Sequence, residues 1–264
     1  MIRGVDGEFF ECVEADVWRG ETLALRDFSL TLRHGESVAV LGPNGAGKSS
    51  LLKLLTGELR PAAGGRGRCR LFGEELWDIE EIRHRIGVVM PEEVARFEPE
   101  EVVEDAVLSS LRGAYGLAWR MRFSRVERQR AAEAMEVMGV ADLARREFGR
   151  LSSGQQRRIL IARALVHDPE VLVLDEPSTA LDFAAAAQLT ATLRGLVRAG
   201  RDLVWVTHHP GEIPPEVERV VLLKDGGVFA DGPKRRTINA GRLEGLYGVK
   251  LGVRWSAGWC EVRA

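Results

Sequence analysis

Four short runs in this chain are apolar at every position and end abruptly: "VAVL" before Gly42, "IGVV" before Met90, "VLVL" before Asp175 and "LVWV" before Thr207. A strand with one wet face alternates apolar and polar side chains, so a run with no polar member needs cover on both faces. A parallel sheet flanked by helices meets that condition, and its strand ends converge on one ligand crevice. The runs therefore predict an α/β fold. Helical spacing between them agrees: after "STALD", Leu181, Ala185, Leu189, Leu193 and Leu196 recur on one face, and Gly200 stands where a helix C-terminus is capped.

Residues from about 92 to 150 break this alternation, because strand-like runs vanish and charge rises. Ser124 and Glu127 form a capping-box pattern, and Ala131, Met135 and Met138 then share a face that closes near Gly139. An inserted α-helical subdomain is expected here. Its Arg-rich lead, "WRMRFSRVERQR", reads as a solvated helix face, with contact to an anionic or membrane-proximal partner as the alternative. The first 36 residues alternate loosely and contain the turn "RHGE", which predicts an N-terminal antiparallel β subdomain. In the tail, "INAGRLEGLYG" predicts a short helix with Leu243, Leu246 and Tyr247 packed down, and strand-like residues follow around Trp255 and Trp259. The tail reads as a packing or dimer-supporting appendage. With no internal repeat or low-complexity linker, the 264 residues are expected to form one unit. Its core is drawn from 1–90 and 168–232, its helical subdomain from 91–167 and its appendage from 233–264.

A formal net charge of -2 leaves no basic footprint of the kind that tracks a phosphate backbone, so nucleic acid is not the expected partner. Cys12, Cys69 and Cys260 are widely spaced without a metal-ligand pattern, and read as buried or incidental thiols in a reducing compartment. The N-terminal "MIRGVDGEFFECVEAD" has acids where a secretory signal carries an apolar core, and no stretch approaches about 18 uncharged apolar residues. A cytoplasmic chain that reaches a membrane only through a partner is the expectation.

The chemistry begins at Gly42-x-x-x-x-Gly47-Lys48-Ser49, which follows a strand and opens the helical pattern "SSLLKLLTG". Glycines let successive backbone N–H groups turn inward around anionic oxygens, and the helix N-terminus adds its dipole. Lys48 is placed to reach the β- and γ-phosphates of ATP, and Ser49 to put its hydroxyl on Mg²⁺. In "VLVLDEP" the strand ends in Asp175, suited to the metal's water shell, and Glu176 can orient or deprotonate an attacking water. An exposed pair of loop acids is the competing reading.

With those elements in order, "LSSGQQRRILIARAL" at 151–165 identifies the specific likeness: the chain resembles ATP-binding cassette ATPases over nearly its whole length. The segment "VTHHPGEIPPEVERVVLLKDGGVFADGP" is most similar to single-cassette bacterial transporter proteins of the iron-complex and molybdate type. The resemblance implies a P-loop, RecA-like core. It implies that Gly42, Pro43, Asn44, Gly45, Ala46, Gly47, Lys48, Ser49 and Ser50 wrap the ATP phosphates. It implies that Ser152, Ser153, Gly154 and Gln155 bind the γ-phosphate held by the opposite subunit of a head-to-tail dimer, with Asp182 contacting that subunit. His208 falls at the switch-histidine position, next to a structural His209, and Trp18 at the position of an aromatic that stacks on adenine.

Two departures stand out. Ser153 replaces the usual glycine of the signature, and Met90 and Pro91 stand where the family places Pro and Gln. Glu92 or Glu93 is the candidate replacement oxygen ligand. The implied function is the ATP-hydrolysing subunit of a transporter, paired as a homodimer beneath transmembrane permease subunits. The alternatives are a soluble cassette ATPase acting on a cytosolic complex, and a nucleotide binder with little turnover.

Overall fold

The computed structural model describes residues 7–62, 64–117 and 121–264. The first six residues of the N-terminal stretch, residue 63, residue 118 and the first two residues of the Arg-rich segment, 119 and 120, lie outside the described residues.

The chain opens with the hairpin β1 (Glu8–Arg19) and β2 (Thr22–Arg33), followed by β3 (Val38–Leu41), α1 (Lys48–Leu55), β4 (Arg68–Leu71), α2 (Ile79–Arg85) and β5 (Ile86–Val89). The helical stretch holds α3 (Val103–Ser109), α4 (Arg125–Val137) and α5 (Ser153–Leu165). Alternation then returns with β6 (Val171–Asp175), α6 (Phe183–Arg198), β7 (Asp202–Thr207), β8 (Arg219–Lys224) and β9 (Gly227–Pro233). The tail is α7 (Lys234–Thr237), α8 (Ala240–Tyr247) and the hairpin β10 (Gly252–Ser256) and β11 (Trp259–Arg263).

The main sheet runs β5-β6-β7-β3-β8-β9, parallel except for the last strand. Its all-apolar strands are split by side-chain alternation between two cores. Leu172, Leu174, Leu203 and Trp205 face the core built from α3–α6, α8 and the tail hairpin. Val171, Val173, Val204 and Val206 face the other, shared with α1 and the β2-β1-β4 antiparallel sheet. Both faces are dry, which is why no polar residue interrupts these strands.

In the helical stretch, Ser124 caps α4 by accepting from the Glu127 N–H at 3.2 Å, while the Glu127 carboxylate accepts from the Ser124 N–H at 2.7 Å. Ala131, Ala134 and Met135 of α4 are buried against the same core as the sheet. Arg163 of α5 pins this layer: its guanidinium donates to the Ala106 carbonyl at 2.7 Å, to Ser109 Oγ at 2.8 Å and to the Ala114 carbonyl. A buried guanidinium with its donors satisfied fixes how two helices meet.

The cysteine reading needs correction. Cys12 and Cys69 are cross-strand partners in the β1–β4 pair and are joined as a disulfide, while Cys260 is a buried free thiol. The pairing depends on strands 57 residues apart in sequence, which spacing alone does not reveal. Among the described residues, no helix is long and apolar enough to cross a membrane.

Candidate nucleotide site

The loop after β3 is shaped by close packing. A Cβ on Gly42 would lie 2.6 Å from the Leu223 carbonyl oxygen, and Gly47, at φ +104°, would put one 2.7 Å from Leu25 Cδ2. Only glycine fits either place. The loop folds on itself through the Ala46 N–H, which donates to the Pro43 carbonyl at 3.2 Å. Gly47 is the N-cap of α1 and offers no side-chain acceptor, so N–H groups of the first helical turn remain for a ligand. Lys48 lies inside this turn, its Nζ donating to the Gly42 carbonyl at 2.7 Å and the Pro43 carbonyl at 3.1 Å. Burial pushes its pKa down, while Glu176 and Asp175 pull it back up. Asn44, Gly45 and Ser49 are exposed, and Ser50 is buried in α1.

Asp175 ends β6 and Glu176 follows at φ +44°, a conformation a glutamate rarely adopts. The Glu176 N–H holds that turn by donating to the Val206 carbonyl of β7 at 2.8 Å. Its carboxylate is held at both oxygens, with His208 Nδ1 2.6 Å from Oε1 and Thr179 Oγ1 donating to Oε2 at 2.9 Å. Partial burial raises the Glu176 pKa, but the bonds from His208 and Thr179 outweigh it and leave the carboxyl below its usual range. Asp175 goes the other way. Burial first, and then the charges of Glu176 and Glu92, push it up to about 6 against the pull of Lys48 and Arg157. Two adjacent acids thus receive opposite environments. The His209 ring lies against that of His208, centroids 3.8 Å apart, and the His209 backbone N–H donates to Thr207 Oγ1 at 3.0 Å.

The signature residues gather where α5 and α6 begin. Ser152 Oγ accepts from the Gln155 N–H at 3.3 Å, and Gln155 Oε1 accepts from the Ser152 N–H at 3.0 Å, completing the capping box that the spacing predicts. Ser153 Oγ donates to the Ala180 carbonyl at 3.5 Å, and a Cβ on Gly154 would meet Ala185 Cβ at 2.7 Å. Asp182 Oδ1 accepts from the Ala185 N–H at 2.7 Å, so this acid is also the N-cap of α6. Among the described residues, no hydrogen bond joins this group to residues 42–50.

Where the family's Gln is replaced, Val89 pairs in register with Leu174, so Met90 emerges level with Asp175. Pro91 opens a 3₁₀ turn over Pro91–Arg96. Glu93 is spent inside it, accepting from the Met90 N–H at 3.1 Å and from the Tyr115 hydroxyl at 2.5 Å. Of the two candidate acids, Glu92 is the exposed one, and its charge reaches Asp175. The spacing arguments missed Arg157, buried in α5 with Nη1 unpaired among the described residues and within the fields of Glu93, Asp175 and Glu92. A charged side chain on the apolar face of a buried helix was the available signal. Trp18 is 46% exposed on β1. Its neighbour Val17 pairs with Leu25, whose side chain backs Gly47.

A lysine bonded to the carbonyls of the loop that it follows, and held in the field of two acids from a nearby parallel strand, is the arrangement of a P-loop nucleoside triphosphatase. The comparisons with known proteins take the assignment further. The chain belongs to the ABC transporter family, whose model matches residues 25–179. It is 40% identical over 217 residues to the cobalt import ATP-binding protein CbiO of Rhodobacter capsulatus, covering 81% of this chain and 74% of that one. It is 32% identical over 237 residues to the uncharacterized ABC transporter ATP-binding protein YlmA of Bacillus subtilis, covering 88% of each. Among solved structures it superposes on a dimeric post-hydrolysis state of the ATP-binding cassette MJ0796 bound to ADP and Pi, with a TM-score of 0.69, 27% identity and coverage of 86% of this chain and 99% of that one. The protein is an ABC ATPase, the ATP-binding and ATP-hydrolysing component of its family.

Proposed function

We propose that this cassette works as a head-to-tail homodimer that closes on two ATP molecules and drives a separate membrane-spanning partner. The observation that carries the hydrolytic half is the Glu176–His208 contact of 2.6 Å. It holds the carboxylate ionised and aimed, as a residue orienting the attacking water must be. Lys48 would exchange its loop carbonyls for β- and γ-phosphate oxygens, the N–H groups of 42–50 would cradle them, and Trp18 would cover the adenine. In the dimer, Ser152, Ser153, Gly154 and Gln155 would face the partner's γ-phosphate. Their lack of hydrogen bonds to their own loop, and Phe183 standing 92% exposed directly after Asp182, support a surface completed by a second copy.

Mg²⁺ fits the donors present. Ser49 and Asp175 are hard oxygen ligands, and the charge crowded at Asp175 is what a divalent cation neutralises. Among the described residues, no group of three or more His, Cys, Asp or Glu side chains forms a metal cage, as suits an ion that takes its other ligands from phosphates and water. Bound there, the ion would screen the triphosphate charge. Residues 91–167 would act as the subdomain that carries the signature toward the partner cassette.

The test is Glu176→Gln. Turnover is expected to fall at least about 100-fold while ATP binding persists, and light scattering should show twice the monomer mass with ATP present. Affinity purification in mild detergent should then recover a multi-span membrane protein. Recovery of the homodimer alone, or of soluble partners, would replace transport with a cytosolic role, and unchanged turnover would sink the assignment of Glu176.

A further inference from the structure

The tail beyond β9 reaches the end of the β7 strand through a polar contact. The Tyr247 hydroxyl, on the last residue of α8, donates to the backbone carbonyl of His208 at 3.0 Å. Among the described residues, no other donor reaches that carbonyl.

The helix presenting this hydroxyl is fixed on several sides. Leu243 and Leu246 are buried in the core that holds Leu222 and Trp205, and Lys224 Nζ of β8 donates to the Gly245 carbonyl at 2.6 Å. The hairpin that follows backs onto the turn after His209, where a Cβ on Gly211 would come within 3.2 Å of the Cys260 carbonyl oxygen. On the other side of His208, Thr207 Oγ1 donates to Glu212 Oε2 at 2.9 Å and accepts the His209 N–H. The peptide between residues 208 and 209 is therefore held at its N–H by Thr207 and at its carbonyl by Tyr247. Rotation of that peptide swings the His208 backbone, and with it the imidazole that meets Glu176 at 2.6 Å.

We infer that Tyr247 is a positioning residue for His208, which makes the C-terminal tail part of the hydrolytic machinery as well as of the core. The inference rests on the proposed role of His208 and goes beyond it, because it assigns a task to a segment that carries no nucleotide motif. Burial pushes the Tyr247 phenol up to about 12, so it remains a neutral donor across the working pH range.

Removing the whole tail would take Ile238, Leu243 and Leu246 out of the core they share with Trp205 and Leu222, so the informative change is Tyr247→Phe, which deletes one oxygen and keeps the ring. In the full-length protein, kcat is expected to fall about three- to tenfold with the ATP KM unchanged within about twofold, as for the loss of one hydrogen bond that orients a catalytic group. Histidine ring carbon–proton resonances give a reading independent of turnover. With five histidines in the chain, the His208 signal is assigned by its loss in His208→Ala. Tyr247→Phe should shift that signal in the nucleotide-free protein and leave those of His34, His84 and His167 in place. If Tyr247→Phe alters neither kcat nor that resonance while His208→Ala abolishes turnover, the inference fails and the site reading stands. A fall in kcat without movement of the His208 signal marks a general structural effect and also overturns it. Wild-type turnover in His208→Ala overturns the role of His208 itself.

Discussion

Asp175→Asn is expected to stabilise the nucleotide-free, metal-stripped protein at pH 8 while depriving the site of the carboxylate proposed to face the metal. In the folded protein this carboxyl is raised from 3.8 to about 6, chiefly by burial and then by Glu176 and Glu92. Each tenfold change in proton affinity corresponds to 1.36 kcal/mol, so the ionised side chain costs the folded state about 3 kcal/mol, or about 2 after allowance for its partial exposure. The sign follows from proton linkage. The folded state keeps this proton at pH values where the unfolded chain has lost it, so the wild type gains stability as pH falls through about 6, and that gain is absent at pH 8. At about 2 °C per kcal/mol for a chain of this size, Asp175→Asn should raise the thermal midpoint by about 4–6 °C at pH 8, and by roughly half as much at pH 5. Calorimetry at one scan rate, with chelator present, makes the measurement. An unchanged midpoint at pH 8, or an equal rise at both pH values, would refute an origin in the buried charge.

Ser152→Ala and Ser124→Ala each remove a capping box, α5 and α4 respectively, and each should lower the thermal midpoint by the equivalent of about 1 kcal/mol. Only Ser152→Ala should also depress turnover, and equal ATPase rates in the two variants would show that the signature serine is merely a cap. Cys260 is buried, with its thiol pushed up to about 11 by that burial. Because Cys12 and Cys69 are joined, non-reducing alkylation at pH 8 should modify no cysteine until the chain is denatured, after which mass spectrometry should find the label on Cys260 alone.

The strands of the main sheet were legible because burial on both faces leaves an unbroken apolar run, and β3, β5, β6 and β7 lie where those runs stand. The capping boxes were legible because they are local, needing only three residues of spacing. β4 was hidden: "RCRL" carries two arginines on its outer positions and becomes a strand by pairing with β1. The disulfide was hidden with it. In the nucleotide site, Lys48, Asp175 and Glu176 could be read from their neighbours in sequence, whereas the opposite pKa shifts of the two acids depend on burial and on Glu92 and His208 arriving from other segments. Tyr247 was foreseen as a packed residue of a short helix, but its bond to His208 spans 39 residues, and no local pattern encodes it.

Lys48 also sets a condition on what can enter. Its ammonium already holds two carbonyls of its own loop, so those carbonyls compete with any anion for the lysine. Two of its three N–H donors are spent there, so a newcomer must displace a loop carbonyl to take more than one bond from this lysine. A lone phosphate or sulfate brings a single group to that exchange, whereas a triphosphate bound as proposed would engage loop amides and lysine at once. On the proposed reading the loop would then act as a threshold as well as a receptor, favouring a ligand long enough to hold both ends over a small anion.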